Sequence, residues 1–235
     1  MTTRKSAAAL SAAEGTRYLN VITQLINSSA NTYGKLVAIH GKMSYHMHDT
    51  DMMGNLDPIG QQKFLPWHRK YLLKLEQAMQ VVDPASFIPY WDWTTQRKVP
   101  PWIAGFTPTV KVPGHSQPIT VTRNPGVISK LPTPASMHTI MGATDFTSFT
   151  AAMEDGPHNS VHMWVNGTIS DIMVSPTDPL FWMHHAQIDR LWSLWQTVHP
   201  GLGPTLSTAS AVLKPWAPTT AASVSSIATL GYSYV

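Results

Sequence analysis

The chain is expected to be mainly α, a bundle of helices joined by long loops with few short strands. Three observations predict this. Apolar residues recur at helical spacing from Ser11 to His40 and again from Lys63 to Glu76. Asp178-Pro179 followed by Phe181-Trp182-Met183 reads as the N-terminus of another helix, with Asp178 as N-cap and Pro179 as the first helical residue. Histidines stand on or beside these segments, and four of the eleven lie between Glu154 and Arg190.

The elements follow in order. Ser11 with Glu14 is a capping box, and Tyr18, Val21, Ile22, Leu25 and Ile26 form the apolar stripe behind it. Asn27-Ser28-Ser29 interrupts, and a second helix carries Tyr33, Leu36, Val37 and an inward His40. Gly41, Gly54, Asp57-Pro58 and Gly60 mark the next stretch as loop. A buried helix is expected to open around Pro66, with His68 in its first turn and Glu76 two turns on. Pro100 to Pro134 reads as loops and short strands, Phe146 to Met153 as a short amphipathic helix, and the Pro-containing tail after Pro200 as an extended wrap. Arg4 is a candidate partner for the terminal tyrosines.

Composition excludes several classes. The 235 residues are 43% hydrophobic, enough for a sizeable core, and only 12% charged. Sixteen basic and 13 acidic residues, without blocks, give a net charge of +3 and no reason to expect nucleic acid. The chain has no cysteine, so disulfides, Cys-ligated zinc, iron–sulfur clusters and thiol nucleophiles are out. No apolar run approaches the ~18 residues of a membrane span. The N-terminal stretch is read as a helix lead-in rather than a signal peptide, which favours the cytoplasm over export.

The histidines carry the chemistry. His158 and His162 are four apart, after Gly156-Pro157 where a helix is expected to start, so they share one helix face. With His185 they make one metal group, and Asp189, four beyond His185, is a candidate acceptor for its ring or for the groups around it. Asn159 stands where a zinc protease carries its glutamate, so that built-in base is missing. His40, His46 or His48, and His68 make a second group. All-imidazole sites suit copper, zinc, iron or nickel rather than hard cations. A lone histidine is more often a satisfied core residue; two groups of three in helices favour two metals.

Four motifs, FLPWHRKYLLKLE, PYWDW, PHNSVHMWVNG and DPLFWMHHAQIDRLWSLWQ, stand in this order, and the chain closes on Gly231-Tyr232-Ser233-Tyr234. Together they resemble the tyrosinase family, the type-3 copper group of tyrosinases, catechol oxidases and o-aminophenol oxidases, with molluscan haemocyanin units as relatives. The likeness runs from about Arg4 to the C-terminus and implies one catalytic domain over residues 1–235. It implies a four-helix bundle holding two copper ions that bind O2 between them. His40 and His68 match the first and third ligands of copper A, and His158, His162 and His185 those of copper B; His184 is a neighbour. Glu154 matches an acid that orients a water near the coppers, Asn159 its partner in deprotonating monophenols, and Ile172 the gate residue.

One departure stands out. The place of the second copper A ligand is held by Asp57-Pro58-Ile59, leaving His46 and His48 as candidates. Both are kept, with His48 preferred for its greater freedom to swing back. Met43, Met47, Met52 and Met53 crowd the same loop, and thioethers suit Cu(I), although packing is their commoner use. The expected activity is O2-dependent oxidation of small o-diphenols or o-aminophenols, with ortho-hydroxylation of monophenols as an addition. A small phenolic or aminophenolic substrate is the expected partner, and a copper chaperone a further candidate. The rivals are an oxygen carrier without turnover, a mononuclear zinc hydrolase on His158 and His162, and a metal-free structural helical protein.

Overall fold

The computed structural model describes residues 1–45, 47–51 and 53–235; His46 and Met52 lie outside the described residues. The chain runs β1 (Thr2–Arg4), α1 (Ala12–Asn27), α2 (Thr32–His40), α3 (Pro58–Val82), α4 (Pro101–Ala104), β2 (Thr109–Val110), β3 (Ile119–Thr120), α5 (Pro134–Met141), α6 (Phe146–Met153), α7 (Asn159–Val165), α8 (Pro179–Val198) and β4 (Tyr232–Tyr234). The fold is mainly helical, as the periodicity predicts. No helix among the described residues is long and apolar enough to cross a membrane.

The long helix α3 is the axis. It packs on α8, α6, α1 and α2. Its inner face buries Phe64, Trp67, Tyr71, Leu72, Leu75 and Met79. From α8 come Leu180, Phe181, Trp182, Ile188 and Trp192. These belong to one apolar cluster that also takes in α1, α2 and α6. Trp67, Trp182, Trp192 and Trp195 are fully buried, so the tryptophans of the motifs are packing residues. Such side chains dominate core energetics because each removes a large apolar area from water.

The local signals at α1 and α8 behave as expected. Ser11 and Glu14 form the capping box, and the Asp178 side chain accepts from Leu180 N–H. Two helix starts differ from expectation. The helix bearing His68 begins at Pro58, where Asp57 accepts from the N–H groups of Ile59 and Gly60. Pro66 lies inside it rather than at its start. A mid-helix proline costs an i→i−4 bond, and here buried packing on both sides of Pro66 holds the helix through it. Gly60 is required at that first turn: a Cβ there would sit 1.8 Å from the His48 carbonyl oxygen. The absent side chain lets the preceding loop lie directly on α3.

The second difference is at Gly156-Pro157. No helix starts there. A π-helical turn, Glu154–His158, joins α6 to α7, with Asn159 N–H reaching the Glu154 carbonyl five residues back. Pro157 lacks an N–H, and the widened turn accommodates it while shifting the face that follows. His158 and His162 face inward as a result.

The termini are tied together. β1 and β4 pair in parallel, Thr2 opposite Tyr232 and Arg4 opposite Tyr234. Arg4 is fully buried; it forms two hydrogen bonds to Glu76 of α3, one to Asp189 of α8 and one to the Tyr234 hydroxyl, and lies 3.7 Å from the Tyr232 ring centre. Asp189 also accepts from Arg69, Tyr232 and Tyr234. This corrects one part of the expectation: Asp189 does not accept from the His185 ring itself, whose Nδ1 has no partner among the described residues. One turn of α8 separates them, and two arginines and two tyrosine hydroxyls claim its oxygens. Nearby Arg4 and Arg69 hold the Asp189 carboxyl below its ordinary range against the opposing effect of burial.

Replacing Arg4 with alanine would strand Glu76 and Asp189 as buried, undercompensated carboxylates. Equilibrium urea unfolding of Arg4→Ala is expected to show a loss of about 3–5 kcal/mol, the usual consequence of removing one partner from a buried ion pair.

Candidate metal centre

The first histidine group joins three elements. His40 ends α2, His68 lies in the middle of α3, and His48 comes from the loop pressed against Gly60. His40 Nδ1 donates to the Ile172 carbonyl at 2.9 Å, and His68 Nδ1 to the Phe64 carbonyl at 2.8 Å. A carbonyl can only accept, so both rings carry their proton on Nδ1 and present a bare Nε2. Those two Nε2 atoms face each other at 3.5 Å. His48 Nδ1 meets Glu154 Oε1 at 2.8 Å, and its buried Nε2 has no hydrogen-bond partner among the described residues. The ligand atoms of His40, His48 and His68 all lie within 4.8 Å of one another.

The second group comes from the end of the π turn, which carries His158, and from α7 and α8. His162 Nδ1 donates to the Ile169 carbonyl at 2.7 Å, and Ser175 Oγ donates to the same carbonyl at 2.8 Å. His158 Nδ1 is 3.0 Å from Asn159 Oδ1. His162 Nε2 and His185 Nε2 face each other at 3.3 Å. His184 stands within the same group, but its Nδ1 accepts from Trp93 Nε1 at 3.1 Å. That lone pair is taken, which agrees with His184 as a neighbour.

The two groups abut. The rings of His68 and His185 stack with centres 4.3 Å apart. Phe64 lies 4.8 Å from both His68 and His158, and Phe181 lies 4.1 Å from His185 and 5.1 Å from His40. The bare Nε2 atoms of His40 and His68, 3.5 Å apart, repel unless a cation lies between them. The donor set therefore fits two soft or borderline metal ions.

His40, His48, His68, His158, His162 and His185 are brought together. His46 is outside the described residues. Ile172 is at the surface of the cavity described below, and its carbonyl tethers His40. Asn159 borders the same cavity. Glu154 is buried behind His48, where both of its oxygens also accept from Asp49 N–H. His115 and His138 join neither group. The carbonyls of Phe64, Ile169 and Ile172 are functional groups that side-chain reasoning does not see; the one clue is that a ligating histidine needs an acceptor for its other nitrogen.

A cavity of about 330 Å³ opens onto both groups. His40, His48, His158 and His162 line it with Asn159, Met163, Ile169, Ser170, Ile172 and Ser175. Met163 is 66% exposed and Ile172 41%, so these two mark the mouth.

Burial holds the rings neutral. It pushes His48 down to about 3, with His162 adding to the effect, and His162 down to about 4 against the pull of the Ile169 carbonyl. Burial likewise holds His40, His68, His158 and His185 well below 6.5, reinforced by neighbouring histidines. Burial, then the charge of Asp49, pushes Glu154 upward. In metal-free protein these directions set how stability changes with pH. The unfolded chain takes up protons on these rings below about pH 6.5 while the folded chain does not. Through these six rings stability falls as pH drops from about 6.5 toward about 4, where His162 begins to protonate in the fold, and the raised Glu154 carboxyl offsets only part of that fall. Urea midpoints of metal-free protein at pH 7.5, 6 and 5 should decline in that order; a flat series would contradict neutral, buried rings.

The common central domain of tyrosinase matches residues 30–124 and 108–198. The tyrosinase of Streptomyces glaucescens is 33% identical, over 92% of this chain and 93% of its own length. Among solved structures, a functional unit of octopus haemocyanin superposes with a TM-score of 0.79 at 24% identity, covering 100% of this chain and 68% of that one. Copper-bound Aspergillus oryzae tyrosinase does so with a TM-score of 0.70 at 18% identity, covering 100% of this chain and 92% of that one. With two histidine groups in one helical core, the chain belongs to the tyrosinase family and is a type-3 copper oxidoreductase, its cofactors two copper ions and O2 its co-substrate.

Proposed function

We propose that this chain oxidises small o-diphenols or o-aminophenols to quinones or quinone imines, and also ortho-hydroxylates monophenols. His40, His48 and His68 are assigned to one copper, and His158, His162 and His185 to the other. Residues 1–235 act as one catalytic domain, supported by the single apolar core and the paired termini.

The observation that carries the reading is the cavity of about 330 Å³ above the histidines. It lies at the lower end of the roughly 300–1,000 Å³ of small-molecule sites, a size for one aromatic ring. Ile169, Ile172 and Met163 supply apolar walls for that ring, and its mouth is open to solvent. The Streptomyces glaucescens relative bears the name tyrosinase, which supports a phenolic substrate. Copper supplies the one-electron redox steps and a charge that favours the phenolate.

The protein groups have separate tasks. Asn159 Oδ1 fixes the tautomer and aim of His158. Glu154 does the same for His48, which makes it a positioning residue rather than a base facing the substrate. The rival reading, an oxygen carrier without turnover, has support from the octopus haemocyanin fold; the open mouth favours catalysis. A mononuclear zinc hydrolase on His158 and His162 leaves the first histidine group without a purpose.

Copper-loaded protein is expected to consume O2 catalytically with catechol or o-aminophenol. Stoichiometric O2 binding without turnover on any such substrate would favour the carrier. Glu154→Gln is expected to weaken copper binding at one site by about 10–100-fold, as for other residues that orient a ligand. Lost turnover with unchanged copper affinity would instead make Glu154 a group that acts on the substrate.

A further inference from the structure

The loop between α2 and α3 holds a second cavity, of about 320 Å³, lined by Met43, Met47, Met53 and His48, with Asp51 and Asp57 also on its wall. Exposure falls along the methionines: Met53 is 87% exposed, Met43 half-buried and Met47 fully buried. Core packing accounts for Met47, which belongs to the apolar cluster, but not for Met53 in water. His48 borders both this cavity and the one above the dicopper site, and its Nε2 is buried without a hydrogen-bond partner among the described residues. The chain has no cysteine, so thioethers are its sole soft sulfur donors. Such donors select Cu(I) over harder divalent ions.

We propose that Met43, Met47 and Met53 form a Cu(I) acquisition site that hands the ion inward to His48. The inference rests on the dicopper reading above. The transfer is a ligand exchange: copper–sulfur bonds break as a bond to His48 Nε2 forms. The oxidation state does not change, and with the ionised Glu154 carboxylate accepting from His48 Nδ1 at 2.8 Å no proton needs to leave. The exposed Met53 meets the donor, Met43 and Met47 lead inward, and His48 is the first imidazole reached.

The test is uptake kinetics of the copper-free full chain against the Met43→Leu/Met47→Leu/Met53→Leu variant. Leucine keeps the apolar volume, so the fold is retained. Cu(I) is offered anaerobically from a Cu(I)-selective chelator, and Cu(II) separately in air. The variant should take up Cu(I) more slowly by about tenfold, as for a barrier raised by about 1.4 kcal/mol. Its Cu(II) uptake and its final content of two coppers should be unchanged. Equal Cu(I) rates would overturn the proposal, as would equal slowing with both oxidation states, which signals a packing defect. Should neither protein reach two coppers, the dicopper reading fails instead. Titration with Ag(I), a redox-inert analogue of Cu(I), then decides the methionine site alone. One equivalent should shift the methyl resonances of Met43, Met47 and Met53, and unshifted methyls would overturn it.

Discussion

The centre depends on where the Nδ1 protons of the histidines go. Three rings, His40, His68 and His162, donate them to main-chain carbonyls of Ile172, Phe64 and Ile169. A carbonyl cannot be ionised or rotated away, so these bonds fix tautomer and ring plane together. His48 and His158 are fixed by side chains, Glu154 and Asn159. The bare Nε2 atoms of His40 and His68 then face each other, in a space where burial keeps the rings uncharged. The apo fold thus gathers lone pairs that oppose one another, and metal binding relieves that opposition.

The helical frame serves this geometry through two irregularities. Pro66 sits inside α3 two residues before His68, and the π turn at Glu154–His158 sets the face of α7. Neither is favoured by local propensity, and both are carried by tertiary packing around them. The frame is closed by Arg4, Glu76, Arg69 and Asp189 with the two terminal tyrosines. That network joins β1, α3, α8 and β4, so the helices bearing His68 and His185 are held by the same buried charges.

Much of this was legible in the sequence, because polar caps and apolar stripes are local signals. Ser11-Glu14 and Asp178-Pro179 mark true helix starts. Asp57-Pro58 carries the same signature as Asp178-Pro179, but Gly60 beside it reads as loop; its small size is needed against the His48 carbonyl instead. Asp189 looked like a partner for His185 by spacing, yet distant Arg4 and Arg69 outcompete the ring. The carbonyl acceptors had no side-chain signature at all. His48 could be favoured but not fixed from sequence, since its place depends on a contact with Glu154, 106 residues away.

The central claim is that His48 completes the first copper site. The most direct measurement is bound copper per chain, with the Cu(II) electron paramagnetic resonance signal, for the wild type, His48→Ala and His46→Ala. The account predicts two coppers and a silent, coupled pair for the wild type and for His46→Ala. It predicts one copper with a mononuclear Cu(II) signal for His48→Ala. Two coupled coppers retained in His48→Ala, or lost in His46→Ala, would contradict it.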